Sequence, residues 1–246
     1  MEQVFEKKYR LETIHLDRHG RLKPSVMLYF AQEAATGHCD LLKLDYATLA
    51  EKRLFWAIVR TRLQVERTPV EGEVLTVKTW PMPTTRAAFP RATEAYDSEG
   101  KPVFRCLSLW VLMDMDTRKM VLPQHSGIVL DGIVQGGELM PPGSIFPKEG
   151  EHTFYRTVGY TELDRNGHVN NTRYVDWAND LLSSDFHKEH TLKELTICYQ
   201  SEAYQGDQIA LNWQVNDGPE LAADAHRTQT NDRQTEQRVF SVRMKF

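Results

Sequence analysis

The chain has 246 residues, 41% of them hydrophobic and 26% charged, enough apolar material for one large or two small packed domains, so a disordered chain is excluded. A formal charge of -4 and an isoelectric point near 6.1 argue against a dedicated nucleic-acid binder, because phosphate recognition leaves a basic footprint. Cys39, Cys106 and Cys198 are odd in number and far apart. Neither a disulfide framework nor a paired-cysteine metal site is in view, and a reducing compartment fits best.

The opening stretch "MEQVFEKKYRLE" is charged and lacks an apolar signal core, and no apolar run has spanning length. The expectation is a soluble, unprocessed, cytoplasmic protein. Asn170-Asn171-Thr172 matches the N-glycosylation pattern, which carries meaning only in a secreted chain.

In chain order, "YRLETIHLDRHGRLKPSVMLYFAQEAA" from Tyr9 reads as a turn that opens a helix. Pro24 suits the first helical position, and Met27, Leu28, Ala31, Ala34 and Ala35 form its apolar stripe. A second helix is expected over about 40–52. Strand patterns follow in "LFWAIVRTRLQVERTP" and "EVLTVKTWPMP", then a hairpin in "AAFPRATEAYDSEGKPVFRCLSLWVLM" that turns at 97–101. Residues 123–152, rich in Pro and Gly, read as a linker.

From Tyr155 the pattern begins again, with "YRTVGYTELDRNGHVNNTRYVDWANDLL". Leu16 aligns with Leu163, Asp17 with Asp164, Arg18 with Arg165, Gly20 with Gly167 and Ala31 with Ala178, at a constant offset of 147 (163 - 16 = 147). Asn170 falls at the helix cap, and Tyr174, Val175, Ala178, Leu181 and Leu182 form the second apolar stripe. Four more strand patterns complete the copy, with Phe240, Val242, Met244 and Phe246 alternating on one face. The expected organisation is α+β, with units at 1–122 and 153–246, each an antiparallel sheet wrapped around its own helix. Two fused copies mimic a two-fold dimer within one chain, and fold alone licenses no function.

The second copy carries chemistry that the first lacks. It has Asn166 and His168 where the first has His19 and Arg21. Asp164, Asn166 and His168 alternate at spacing two, so an extended approach would aim them to one side, just before a helix whose N-terminal amides suit a developing oxyanion. A base candidate lies downstream in "CYQSEAYQGD": Glu202, whose counterpart at offset 134 is Thr68. Against this stand two plain readings, a polar turn that satisfies its own backbone and a solvated strand-end carboxylate.

"LDRNGHVNNTRYVDW" followed by "CYQSEAYQGD" resembles the Asn-x-His-Val-Asn-Asn and downstream Glu segments of acyl-acyl carrier protein thioesterases. The likeness extends through "FWAIVRTRLQVERTPVEGEVLTVKTW" and "CLSLWVLMDMDTRKMVLP" to nearly the whole chain. The resemblance implies a tandem double hotdog fold and hydrolysis of fatty acyl thioesters on an acyl carrier protein. It also implies a catalytic set of Asp164, Asn166, His168 and Glu202. Plant members commonly have a cysteine after the glutamate; Ala203 stands there in this chain, and alanine cannot attack a thioester.

Activated water is therefore the expected nucleophile, with Glu202 as general base, His168 and Asn166 on the carbonyl, and Asp164 orienting one of them. His168 and Glu202 exchange roles in an equally open version. No cofactor and no metal is required. The implied partner is an acyl carrier protein with its phosphopantetheine-linked acyl chain, bound by the first unit with Phe55 and Trp56 among the pocket walls. Its acidic surface would meet some of Arg60, Arg62, Arg86, Arg91 and Arg105. A homodimer is one open arrangement. The rival functions are another hotdog enzyme acting on coenzyme A thioesters, and a non-catalytic acyl-binding module.

Overall fold

The computed structural model describes residues 3–145, 150–230 and 233–246, with the side chains of all but 230 and 233–235. The chain folds as two compact units, Met1–Pro142 and Gly143–Phe246. The division falls inside 123–152, of which 146–149 lie outside the described residues. Its earlier part packs on the first unit: Ile133 N–H donates to the Pro81 carbonyl (3.0 Å), and Gly137 N–H donates to Glu94 Oε1 (2.6 Å).

The first unit runs β1 (Phe5–Arg10), α1 (Pro24–Leu41), α2 (Tyr46–Glu51), β2 (Leu54–Val65), β3 (Val74–Pro81), β4 (Phe89–Tyr96), β5 (Pro102–Asp114), β6 (Met120–Val121) and α3 (Pro123–Ser126). Its antiparallel strand order is β1-β3-β4-β5-β2, with β6 on β5. Pro24 opens α1, and the whole expected stripe from Met27 to Ala35 is buried, each large side chain contributing roughly 1.5–3 kcal/mol. Gly37 packs closely under β1: a Cβ there would lie 2.7 Å from Phe5 Cζ, so the Phe5 ring would have to shift. The helix expected over 40–52 is instead the end of α1 and the separate α2. Lys43, at φ +57°, breaks the path, and Asp45 caps α2 through the Ala47 and Thr48 amides.

The second unit runs β7 (His152–Thr157), α4 (Arg173–Asn179), α5 (Ser184–Glu189), β8 (Glu194–Tyr199), β9 (Gln208–Asn216), β10 (Glu220–Thr230) and β11 (Arg233–Lys245). Its order is β7-β9-β10-β11-β8. Strand for strand this is the order of the first unit, and all pairs are antiparallel. The helices differ. The expectation of a long helix in each unit holds only for α1, which has 18 residues, whereas α4 has seven. Leu181 and Leu182 continue the apolar period but lie beyond α4, since Ser183 turns extended and caps α5 through the Phe186 amide. Within α4, Tyr174, Val175, Trp177 and Ala178 are buried, and Tyr174 stacks on Phe240 of β11 at 4.9 Å.

The repeat extends to individual backbone hydrogen bonds. Asp17 N–H to Arg21 C=O recurs as Asp164 to His168, Gly20 to Asp17 as Gly167 to Asp164, and Lys23 to His15 as Asn170 to Glu162. Leu11 to Glu73 recurs as Val158 to Asp207, and Gly72 to Leu11 as Gly206 to Val158. No described helix is long and apolar enough to cross a membrane.

Candidate active site

The segment from Asp164 to His168 is a tight turn, in place of the extended or gently curved approach that would aim Asp164, Asn166 and His168 to one side. Gly167 sits at φ +81°, a conformation that glycine adopts without steric cost. Asp164 Oδ1 accepts the backbone N–H of Asn166 (2.8 Å) and of His168 (3.4 Å). Its other oxygen lies 3.5 Å from Asn166 Nδ2. Asp164 thus holds the turn and the amide side chain of Asn166, and it reaches His168 through the main chain.

After the turn, Asn170 closes a second one. Its Oδ1 accepts the Thr172 N–H (3.0 Å) and hydroxyl (2.7 Å), and its carbonyl accepts the Arg173 N–H (2.9 Å). The residue at the α4 cap is Thr172, whose side chain makes no capping bond, so Asn170 lies two residues before the cap position expected of it and closes a local side-chain turn instead. These bonds engage the amides that would otherwise face a substrate, so the expected helix-end contribution to an oxyanion site is not supplied by Thr172 or Arg173.

Glu202 lies in the loop between β8 and β9, and one antiparallel main-chain rung stitches this loop to the turn. Val169 N–H donates to the Ala203 carbonyl (2.9 Å), and His168 forms an isolated bridge with Tyr204. The stitch brings His168 Nδ1 to 3.4 Å from Glu202 Oε1, with both side chains partly exposed (22% and 34%). Asp164 and Asn166 form one pair and His168 and Glu202 the other. Ala203 points the opposite way and is fully buried, as alternation along an extended segment requires.

Three residues join the site that the sequence reading did not single out. The Tyr204 hydroxyl donates to Glu202 Oε2 (2.8 Å), and its ring meets the His168 ring edge-on at 5.1 Å. Arg227 of β10 donates through Nη2 to the Glu202 carbonyl and lies 5.6 Å from the Tyr204 ring centroid. Its Nε is 2.9 Å from Asp207 Oδ2, which also accepts the Tyr204 N–H (2.9 Å). The repeat comparison contains the signal for Tyr204: its counterpart at offset 134 is Val70, whose N–H makes the same bond to Glu73 (2.6 Å). Below the loop, burial first, and the Glu202 charge after it, push the Tyr174 phenol well above its ordinary value of 10.0.

Elsewhere the structure sorts the other candidates. Arg91 is buried, with its guanidinium on His38 Nδ1 (3.0 Å) and Thr79 Oγ1 (3.4 Å), so it is withdrawn from any docking surface. Arg105 is engaged by Glu66 and Glu94. Cys198 is buried in β8, its thiol 3.6 Å from the Gly143 carbonyl. Among the described residues, no group of three or more His, Cys, Asp or Glu side chains is placed to hold a metal ion.

Residues 2–124 match the acyl-ACP thioesterase N-terminal domain and residues 147–245 the acyl-ACP thioesterase C-terminal domain. The chain is 25% identical over 214 residues to a chloroplastic palmitoyl-acyl carrier protein thioesterase of Gossypium hirsutum, covering 81% of this chain and 52% of that protein. It is 27% identical over 178 residues to oleoyl-acyl carrier protein thioesterase 1 of Arabidopsis thaliana, covering 66% and 48%. The chain thus spans about half the length of these plant relatives.

Among solved structures, an acyl-ACP thioesterase from Bacteroides thetaiotaomicron superposes with a TM-score of 0.83 at 22% identity, over 99% of this chain and 98% of that one. The 12:0-ACP thioesterase of Umbellularia californica gives 0.82 at 21%, over 100% and 97%. At these identities the superpositions establish the fold alone. The two domain matches carry the assignment: this chain belongs to the acyl-ACP thioesterase family.

Proposed function

We propose that the chain hydrolyses the thioester linking a fatty acyl chain to an acyl carrier protein, releasing free fatty acid and ending elongation. The observation that carries this reading is the Glu202–His168 pair, 3.4 Å apart, on a loop whose next residue is a buried alanine. Glu202 Oε1 takes a proton from water as the water oxygen attacks the thioester carbonyl. His168 and Asn166 stabilise the charge that develops on the carbonyl oxygen. The carbon–sulfur bond then breaks, and a thiolate whose conjugate acid has a pKa of about 8.5 leaves with little acid assistance. Asp164 keeps the turn that presents Asn166 and His168.

In this reading the two units are fused hotdog domains with divided labour, the first holding the acyl chain and the second doing the chemistry. The acyl carrier protein as partner is supported by what the matched relatives act on by name. Glu202→Gln tests the proposal with acyl chains on carrier protein and on coenzyme A as parallel substrates. Turnover is expected to fall about 100- to 10,000-fold on carrier-bound chains, with KM nearly unchanged. Near-normal turnover would sink the base assignment, and preference for the coenzyme A thioester would move the substrate to the rival class.

A further inference from the structure

Tyr204 is a large aromatic residue kept 41% exposed, so core packing does not account for it. The main-chain frame does not need it either: Val70 occupies the matching place in the first unit, and its N–H bonds a carboxylate in the same way. What Tyr204 adds is a phenol two residues beyond Glu202, on the same face of the segment, with its hydroxyl 2.8 Å from Oε2.

We infer that Tyr204 is a positioning residue for the hydrolysis proposed above: its phenol pins one oxygen of Glu202 and leaves the other beside His168 to meet water. The inference rests on Glu202 being the base. A free glutamate at a loop surface samples several rotamers, and a hydrogen bond to one oxygen selects among them. The ring is fixed in turn by its edge-on contact with His168 and by Arg227, which also holds the Glu202 carbonyl. The other titratable or charged groups facing the Glu202 carboxylate are His168 from the turn, Arg227 from β10, Asp207 at the entry to β9 and Tyr174 from α4.

Tyr204→Phe keeps the ring and removes only the hydroxyl. The expected result is kcat lowered about tenfold with KM within about twofold. In a Glu202→Gln background the same change should have no further effect on turnover. Wild-type kcat in Tyr204→Phe, or a loss carried by KM alone, with Glu202→Gln inactive, would overturn the inference and leave the base assignment standing. An active Glu202→Gln would remove the base assignment itself. Thermal melts of both variants establish that they are folded, because a purely structural tyrosine would change the melt and leave kcat of the folded enzyme in place.

Discussion

Asp17 and Asp164, 147 residues apart, hold the same two backbone amides of their turns: Asp17 Oδ1 accepts from His19 and Arg21, and Asp164 Oδ1 accepts from Asn166 and His168. The aspartate is therefore part of the inherited turn, and the two units differ at the neighbouring positions, where Asn166 and His168 stand in place of His19 and Arg21. Asp17→Ala and Asp164→Ala should each lower stability by about 1–2 kcal/mol, whereas only the second should reduce turnover. Melting midpoints and steady-state rates on the two variants check this; equal turnover in both would separate the turn from catalysis.

Arg227 and Asp207 lie beneath the Glu202 loop with side chains 10% and 1% exposed. Removing one partner of a buried ion pair strands the other. Arg227→Met should destabilise the protein by about 3–5 kcal/mol in urea unfolding, and a loss below about 1 kcal/mol would show that the pair is not a structural anchor.

Ala203 is fully buried although its neighbours Glu202 and Tyr204 face outward. A thiol introduced by Ala203→Cys would be desolvated, as Cys106 is, whose thiol burial pushes up to about 12. Ala203→Cys is expected to give no new activity and no alkylation-sensitive turnover. Iodoacetamide inhibition of this variant, absent from the parent, would show that the position reaches the substrate.

Glu73 holds the first unit's counterpart loop, and the Arg67 guanidinium beside it lowers its carboxyl below the ordinary value of 4.5. Its folded-state value lies below the unfolded one, so its stabilising contribution is present above about pH 4.5 and is lost as the pH falls through the folded-state value. Thermal midpoints between neutral pH and pH 3 should fall more steeply for the wild type than for Glu73→Gln; parallel curves would contradict the linkage.

Much of this fold was legible because the repeat supplied two readings of each element. Pro24 opens α1 as its missing N–H demands, and Phe240, Val242 and Met244 are buried as their alternation requires. The length of α4 was not legible, because apolar residues continue past its end while Ser183 offers a competing local cap. Nor was the burial of Arg91, since it depends on strands and a helix far away in sequence covering β4. In the candidate site, the residue types stood out in the sequence and their geometry did not: a glycine-centred turn folds the three alternate residues back, so that of these three His168 reaches Glu202. Tyr204 escaped notice because its role depends on the stitch between two segments, which no local pattern encodes.

That stitch has a dynamic consequence. The Val169 amide and the His168–Tyr204 bridge are the main-chain contacts that bind the turn to a loop more than thirty residues downstream. A single rung of this kind opens at a lower free energy than a strand interior, so His168 and Glu202, the proposed acid–base pair, face each other only for as long as the rung is closed. Hydrogen exchange at Val169 should therefore report the fraction of molecules in which these two side chains are brought together, without any substrate present.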